Sequence, residues 1–157
     1  MAAFDLIPIP FHERAMRAAI EIDRSRRYPF GAAIVRPSEE LLARGADNSS
    51  VNPTYHGEIV CMNDYVALHG NQDWAECVLY STAEPCPMCM AALVWAGIGG
   101  VVYGTSIATL IQKIGWRQIT ISASEVVAAA STFRHVALLG GILASKTDAI
   151  FAERLKR

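Results

Sequence analysis

Apolar residues at Phe11, Ala15, Ala18 and Ile22 recur at intervals of four, three and four, with Arg14, Arg17, Glu21 and Arg24 off that face. This helical period predicts an amphipathic helix from Phe11 to Arg26, ended by Pro29. The next apolar runs are strand-length. Phe30 to Val35 and Leu41 to Arg44 flank a turn opened by Arg36-Pro37-Ser38, which predicts an antiparallel hairpin. A loop rich in Asp, Asn and Ser covers Ala46 to Pro53, and a helix is expected from Tyr55 to Leu68, stopped by Gly70. Then come a strand at Cys77 to Ser81, a helix at Pro87 to Ala96, a strand at Val101 to Tyr103 and a helical stretch at Ile107 to Ile114. A helix is expected at Ser122 to Ala130 with Ser124 as its cap, a fifth strand at Val136 to Leu139, and a final helix from Thr147 to Arg157. No repeat or linker interrupts this alternation, so residues 1–157 are expected to form a single domain, an α/β sandwich around one sheet.

Composition narrows the class. The 157 residues are 52% hydrophobic and 18% charged, enough for a core of their own and incompatible with a disordered chain. Fourteen Lys+Arg against fifteen Asp+Glu leave a net charge of −1, so global charge gives no support for a nucleic-acid partner. No charged residue falls between Glu84 and Lys113, a length that raises the question of a membrane span. Gly97, Gly99, Gly100 and Gly104 break it and Pro85 and Pro87 open it, so a buried helix, a turn and a buried strand are expected instead, with no membrane partner. The N-terminus lacks the basic start and apolar run of a secretory signal. A cytoplasmic, reducing setting is therefore expected, where the closely spaced Cys86 and Cys89 point to metal or redox chemistry.

Two segments carry that chemistry: His56-Gly57-Glu58 and Pro85-Cys86-Pro87-Met88-Cys89, with Cys86 thirty positions after His56. Together they form the H-x-E and P-C-x-x-C pattern of the zinc deaminases. Cys86 and Cys89 share the face of a helical first turn, where free N–H groups and the helix dipole favour the thiolate that binds zinc. His56 adds a neutral imidazole, and three protein ligands leave a fourth position open. Glu58, two residues from His56, converges on the same place only if the metal lies beyond the helix N-terminus. The site is therefore expected where two helix N-termini meet at the ends of strands, with Glu58 as a proton shuttle and not a ligand. A C-x-x-C pair by itself is also consistent with a structural zinc half-site or a redox pair, and a non-catalytic zinc-binding interaction domain is the alternative of a different class.

The sequence resembles the cytidine-deaminase-like superfamily, and within it the branch of guanine deaminases and tRNA adenosine deaminases. The resemblance runs from about Arg14 to Ser106 through Pro29-Phe30-Gly31-Ala32, Asn52-Pro53-Thr54, the two motifs, Leu79-Tyr80-Ser81 and Val101-Val102-Tyr103-Gly104. It implies a three-layer α/β/α sandwich around one mixed five-stranded sheet, and one Zn2+ per chain on His56, Cys86 and Cys89 with Glu58 catalytic. It implies a hydrolytic deaminase of a small free nucleobase, nucleoside or related amino-heterocycle, releasing ammonia, and a homodimer. A tRNA adenosine deaminase is the runner-up. For substrate contact it points to Asn48, with Asp47 its rival, to Phe30, and to Trp95, which the guanine-deaminase-like branch tends to carry. Gly31 and Ala32 are expected to let the backbone approach a planar ligand. Two departures stand out. Gly57 replaces the usual Ala of H-A-E, a change expected to give slightly more room. Gly115-Trp116-Arg117-Gln118 stands where guanine deaminases often carry Gly-Phe-Asp-Asp, so Trp116 and Gln118 are expected to shape the pocket for an amino-heterocycle other than guanine.

Overall fold

A computed structural model describes residues 3–23, 27–38 and 40–155. At its centre lies a five-stranded sheet of order β2-β1-β3-β4-β5. β1 (Gly31–Arg36) and β2 (Glu40–Ala46) form the antiparallel hairpin, and β1 is also antiparallel to β3 (Val78–Ala83). β3 pairs in parallel with β4 (Gly100–Thr105), and β4 with β5 (Ala137–Leu139). A parallel pair needs a crossover, and α3 (Pro87–Ala96) supplies it between β3 and β4.

Side chains alternate across this sheet. On β1, Ala32 and Ile34 enter one core cluster while Ala33 and Val35 enter the other. Leu79 opposes Val78 and Tyr80 on β3, and Val101 opposes Val102 on β4. Both faces are therefore apolar, which is why these strands read as unbroken hydrophobic runs. One face is covered by α2 (Gly57–His69), α3 and α5 (Ala123–Ala129) through Cys61, Tyr65, Leu93 and Ala123. The other is covered by α1 (Ile9–Asp23) through Phe11, Met16 and Ile20, with Ile150 of α6 (Ala144–Leu155) packed alongside. The result is the mixed five-stranded α/β/α sandwich that the resemblance implies.

Boundaries moved where local signals were weak. α1 starts two residues earlier than expected, and its expected end at Arg24 to Arg26 lies outside the described residues, as do Lys156 and Arg157. α4 (Ile107–Thr109) passes into a π-helical turn at Leu110–Ile114. The cap of α5 is Ser122, not Ser124: its hydroxyl accepts the Glu125 N–H while the Glu125 carboxylate accepts the Ser122 N–H, a reciprocal capping box. Among the described residues, no helix is long and apolar enough to cross a membrane.

Candidate active site

Two helix N-termini meet at the edge where β3 ends and β1 begins. His56 is the N-cap of α2 and Cys86 the N-cap of α3; both are extended (φ −66°, ψ 159° and φ −63°, ψ 165°), and neither side chain makes a capping hydrogen bond. An N-cap side chain ordinarily turns back to first-turn N–H groups, so here both are left for another partner. Pro87 occupies the first helical position of α3, where a missing N–H costs nothing, and Cys89 follows on the same face. The ligand atoms of His56, Cys86 and Cys89 consequently lie within 4.8 Å of one another, with Cys86 Sγ 3.5 Å from His56 Nδ1. A tetrahedral zinc with Zn–S about 2.3 Å and Zn–N about 2.0–2.1 Å sets an N···S separation of about 3.6 Å, so donor types and spacing fit this metal.

The three groups shift one another. A hydrogen bond from Cys89, followed by one from His56, holds the Cys86 thiol down to about 4. The same bond to Cys86 pushes the Cys89 thiol up, and the bond to Cys86 raises the His56 imidazole. Cys86 thus sits as the thiolate that a metal requires.

Glu58, in the first turn of α2, is only 5% exposed. Ser81 on β3 donates its hydroxyl to Glu58 Oε1 at 2.9 Å. Burial raises the carboxyl above its ordinary range, against the lowering effect of a backbone hydrogen bond and of the Ser81 hydroxyl. That is the environment of a group able to hold and release a proton.

Gly57 does not give the site more room, contrary to the expectation. A Cβ there would lie 2.5 Å from the Phe30 carbonyl oxygen, and one at Gly45 would lie 2.1 Å from the Gly57 carbonyl oxygen. The two glycines let α2 press onto the hairpin and bring Glu58 to the sheet end. Gly57→Ala is expected to destabilise the fold by about 1–3 kcal/mol through backbone displacement, read as a lowered midpoint in urea unfolding.

A cavity of about 220 Å3 opens beside these groups, lined by His56, Glu58 and Cys86 and by the aromatic rings of Tyr28, Phe30 and Trp116. The Trp116 ring centroid is 5.4 Å from that of Tyr28 and 5.9 Å from that of Phe30. Thr82 holds the start of this wall: its hydroxyl donates to Pro29 O at 3.0 Å and accepts the Gly31 N–H at 3.1 Å. Phe30 is both cavity wall and core, packing 4.9 Å from Phe151 between centroids.

The structure brings Phe30, Trp116 and Gln118 to the cavity as expected from the sequence, and places Asn48, Gly31, Ala32 and Trp95 elsewhere. Asn48 closes its loop through the backbone, donating to Tyr55 O at 2.8 Å, while its neighbour Asp47 lines the cavity. A Cβ on Gly31 would lie 2.4 Å from Ala19 O, so its missing side chain serves the approach of α1 and not of a ligand. Ala32 is fully buried in the core. Trp95 is 77% exposed and meets Phe133 edge-on, because Met90, Leu93 and Val94 take the inward face of α3. Tyr28 and Ser49 also line the cavity and went unread. Their signal was adjacency: each stands two residues from Phe30 or Asp47.

In the sequence Glu84 only marks the start of the uncharged stretch. It is buried in the cavity wall, and both its oxygens are occupied: Oε2 accepts the Ile107 N–H at 2.9 Å and Oε1 the Ala123 N–H at 2.8 Å. These are the first residues of α4 and α5, so one carboxylate ties both ends of the segment that carries Trp116 and Gln118. Glu84→Gln leaves one of the two N–H groups without an acceptor, at a cost of about 1–3 kcal/mol. The expected result is faster amide exchange across residues 115–122 with zinc content unchanged.

Residues 9–105 match the family model described as the cytidine and deoxycytidylate deaminase zinc-binding region. The chain belongs to this family of deaminases. Guanine deaminase of Bacillus subtilis (strain 168) is 35% identical over 96 residues, covering 59% of this chain and 61% of that protein. The tRNA-specific adenosine deaminase of Haemophilus influenzae is 32% identical over 102 residues, covering 61% of this chain and 59% of that protein. The chain thus matches about three fifths of the length of each of these relatives. Among solved structures, guanine deaminase from Nitrosomonas europaea superposes with a TM-score of 0.76 at 22% identity, over 90% of this chain and 83% of that one, a likeness of fold.

Proposed function

We propose that residues 1–157 act as one zinc-dependent hydrolytic deaminase domain for a small free nucleobase, nucleoside or related amino-heterocycle. The observation that carries this reading is the buried Glu58 carboxyl beside the His56, Cys86 and Cys89 donor set, opening on a cavity with an aromatic wall. His56, Cys86 and Cys89 would hold the zinc, which when bound supplies a Lewis acid that makes water nucleophilic at neutral pH.

The chain's own residues do the rest. Ser81 fixes one Glu58 oxygen. Glu58 takes one proton from the attacking water and delivers it to a ring nitrogen, then takes the remaining proton of that oxygen and delivers it to the departing amine. A C–O bond forms, the C–N bond breaks, and ammonia leaves. Phe30, Tyr28 and Trp116 flank the planar ring and keep bulk water from it. At about 220 Å3 the cavity is smaller than the sites that hold drug-sized ligands, which supports a single heterocycle. The near-neutral chain gives little with which to hold tRNA phosphates. A homodimer in the cytoplasm completes the reading, supported by the exposed Trp95–Phe133 pair.

The test is ammonia release from a panel of free bases, nucleosides and triazines, run beside inosine formation in tRNA. Turnover of a free heterocycle, with tRNA binding weak and lost at moderate salt, is the expected outcome. Tight, salt-resistant tRNA binding with inosine formation would reverse the assignment.

A further inference from the structure

A second cavity, of about 330 Å3, lies at the end of the sheet remote from His56, Cys86 and Cys89. There β1 finishes at Arg36 while β3 and β4 begin at Val78 and Gly100. Gly99 and Gly100, which interrupt the uncharged stretch in the sequence, shape this end. A Cβ on Gly100 would run into the Phe4 ring, and one on Gly99 into the Ala75 carbonyl oxygen. Their absence lets Phe4, from a short 3-10 turn (Ala3–Leu6), and the segment before β3 close around the strand starts. Phe4, Ile7 and Val78 make part of the lining apolar.

Cations enter from both sides. Arg36 comes from β1, whereas Arg134 and His135 precede β5, and β3 and β4 lie between them in the sheet. The Arg36 guanidinium is poorly satisfied: Nη1 donates to Glu40 Oε2 at a long 3.5 Å. Its Nε is buried without a hydrogen bond, and Glu76 Oε2 stands off at 3.8 Å. The side chains of Arg134 and His135 have no hydrogen-bond or ion-pair partner among the described residues. Glu76 is the single acid of the described lining, so the two arginines outweigh it. A buried donor without an acceptor costs free energy, and a guanidinium is a rigid fork that matches carboxylate and phosphate oxygens.

We propose that this cavity binds a small organic anion: an apolar body the size of a single ring against Phe4, Ile7 and Val78, with a carboxylate or phosphate group between Arg36 and Arg134. The His135 ring N–H and the Ser38 hydroxyl, which also line the cavity, add neutral donors. A volume of about 330 Å3 falls within the range of small-molecule sites. The zinc-ligand groups lie at the other end of the strands, so this site stands or falls independently of the deaminase reading.

The experiment is calorimetric titration of the zinc-loaded protein with phenyl phosphate, phenylacetate, inorganic phosphate and benzyl alcohol. One of the two aromatic anions is expected to bind once per chain, at least about tenfold more tightly than benzyl alcohol or inorganic phosphate. Tighter phenyl phosphate assigns phosphate esters, and tighter phenylacetate assigns carboxylates. Amide resonances of Gly99 and Ala137 should shift on binding while that of Trp116 stays put, which separates this site from anion binding at the metal. Arg134 is exposed, so Arg134→Gln should fold normally and weaken binding by on the order of ten- to a hundredfold, the range of a hydrogen bond between charged groups. Glu76→Gln, which removes the competing carboxylate, should tighten it. Absence of binding, equal affinity for benzyl alcohol, an affinity that survives Arg134→Gln, or shifts confined to the zinc-ligand end overturns the inference.

Discussion

Glu58→Gln is expected to keep full zinc content and folding while ammonia release falls by on the order of 10²–10⁴-fold, the range for loss of a general acid–base. The amide keeps the size of the carboxyl and can still accept the Ser81 hydroxyl, which reaches Oε1 at 2.9 Å. It cannot carry a proton between water and substrate. Because burial already disfavours the charged carboxylate, a neutral side chain at this position adds no desolvation cost. Metal content and ammonia release are measured on one preparation. Full zinc with unmutated turnover would remove Glu58 from the mechanism, and lost zinc would make it a ligand.

Cys86→Ala is expected to lose metal and activity together and to lower the melting temperature. Two of three donors remain, and the thiol removed is the one held as thiolate, down to about 4. Cys86 is also where α3 begins, so the metal would pin the start of that helix to the start of α2. Metal binding that depends on the folded geometry adds to folding free energy, and its loss subtracts the same amount. The check is a pair of melting curves with and without chelator. The chelator should lower the melting temperature of the unmutated protein and leave the variant unmoved. A Cys86→Ala protein that still holds one zinc tightly would sink the ligand assignment.

How much was legible varied with how local the signal was. The bounds of α3 agreed with expectation at both ends, because Pro87 fits the first helical position and Gly97 takes the left-handed conformation (φ 72°) that ends it. Ser122 and Glu125 carry a capping-box signature, so the misplaced cap of α5 was readable and was misread. The H-x-E and P-C-x-x-C spacing made both helix N-termini, and hence the meeting of His56 with Cys86 and Cys89, visible in advance. Trp95 misled because its chemistry suits a pocket, yet its side chain is rotated away from the buried face of α3.

By itself the sequence determined the elements, the two apolar faces of the sheet and the donor types, since periodicity, caps and motif spacing act within a few residues or are written as residue identity. What only the tertiary structure decided is which groups share the cavity. Asp47 lines it and Asn48 does not because the hairpin pairing runs on through Phe30 and Asp47. Gly57 is a packing requirement because Phe30 O lies against it, and Glu84 is a clamp because Ile107 and Ala123 arrive from distant parts of the chain. Each of these rests on a contact between segments remote in sequence, whose distance is set by the packing of helices on a sheet and by no pattern along the chain.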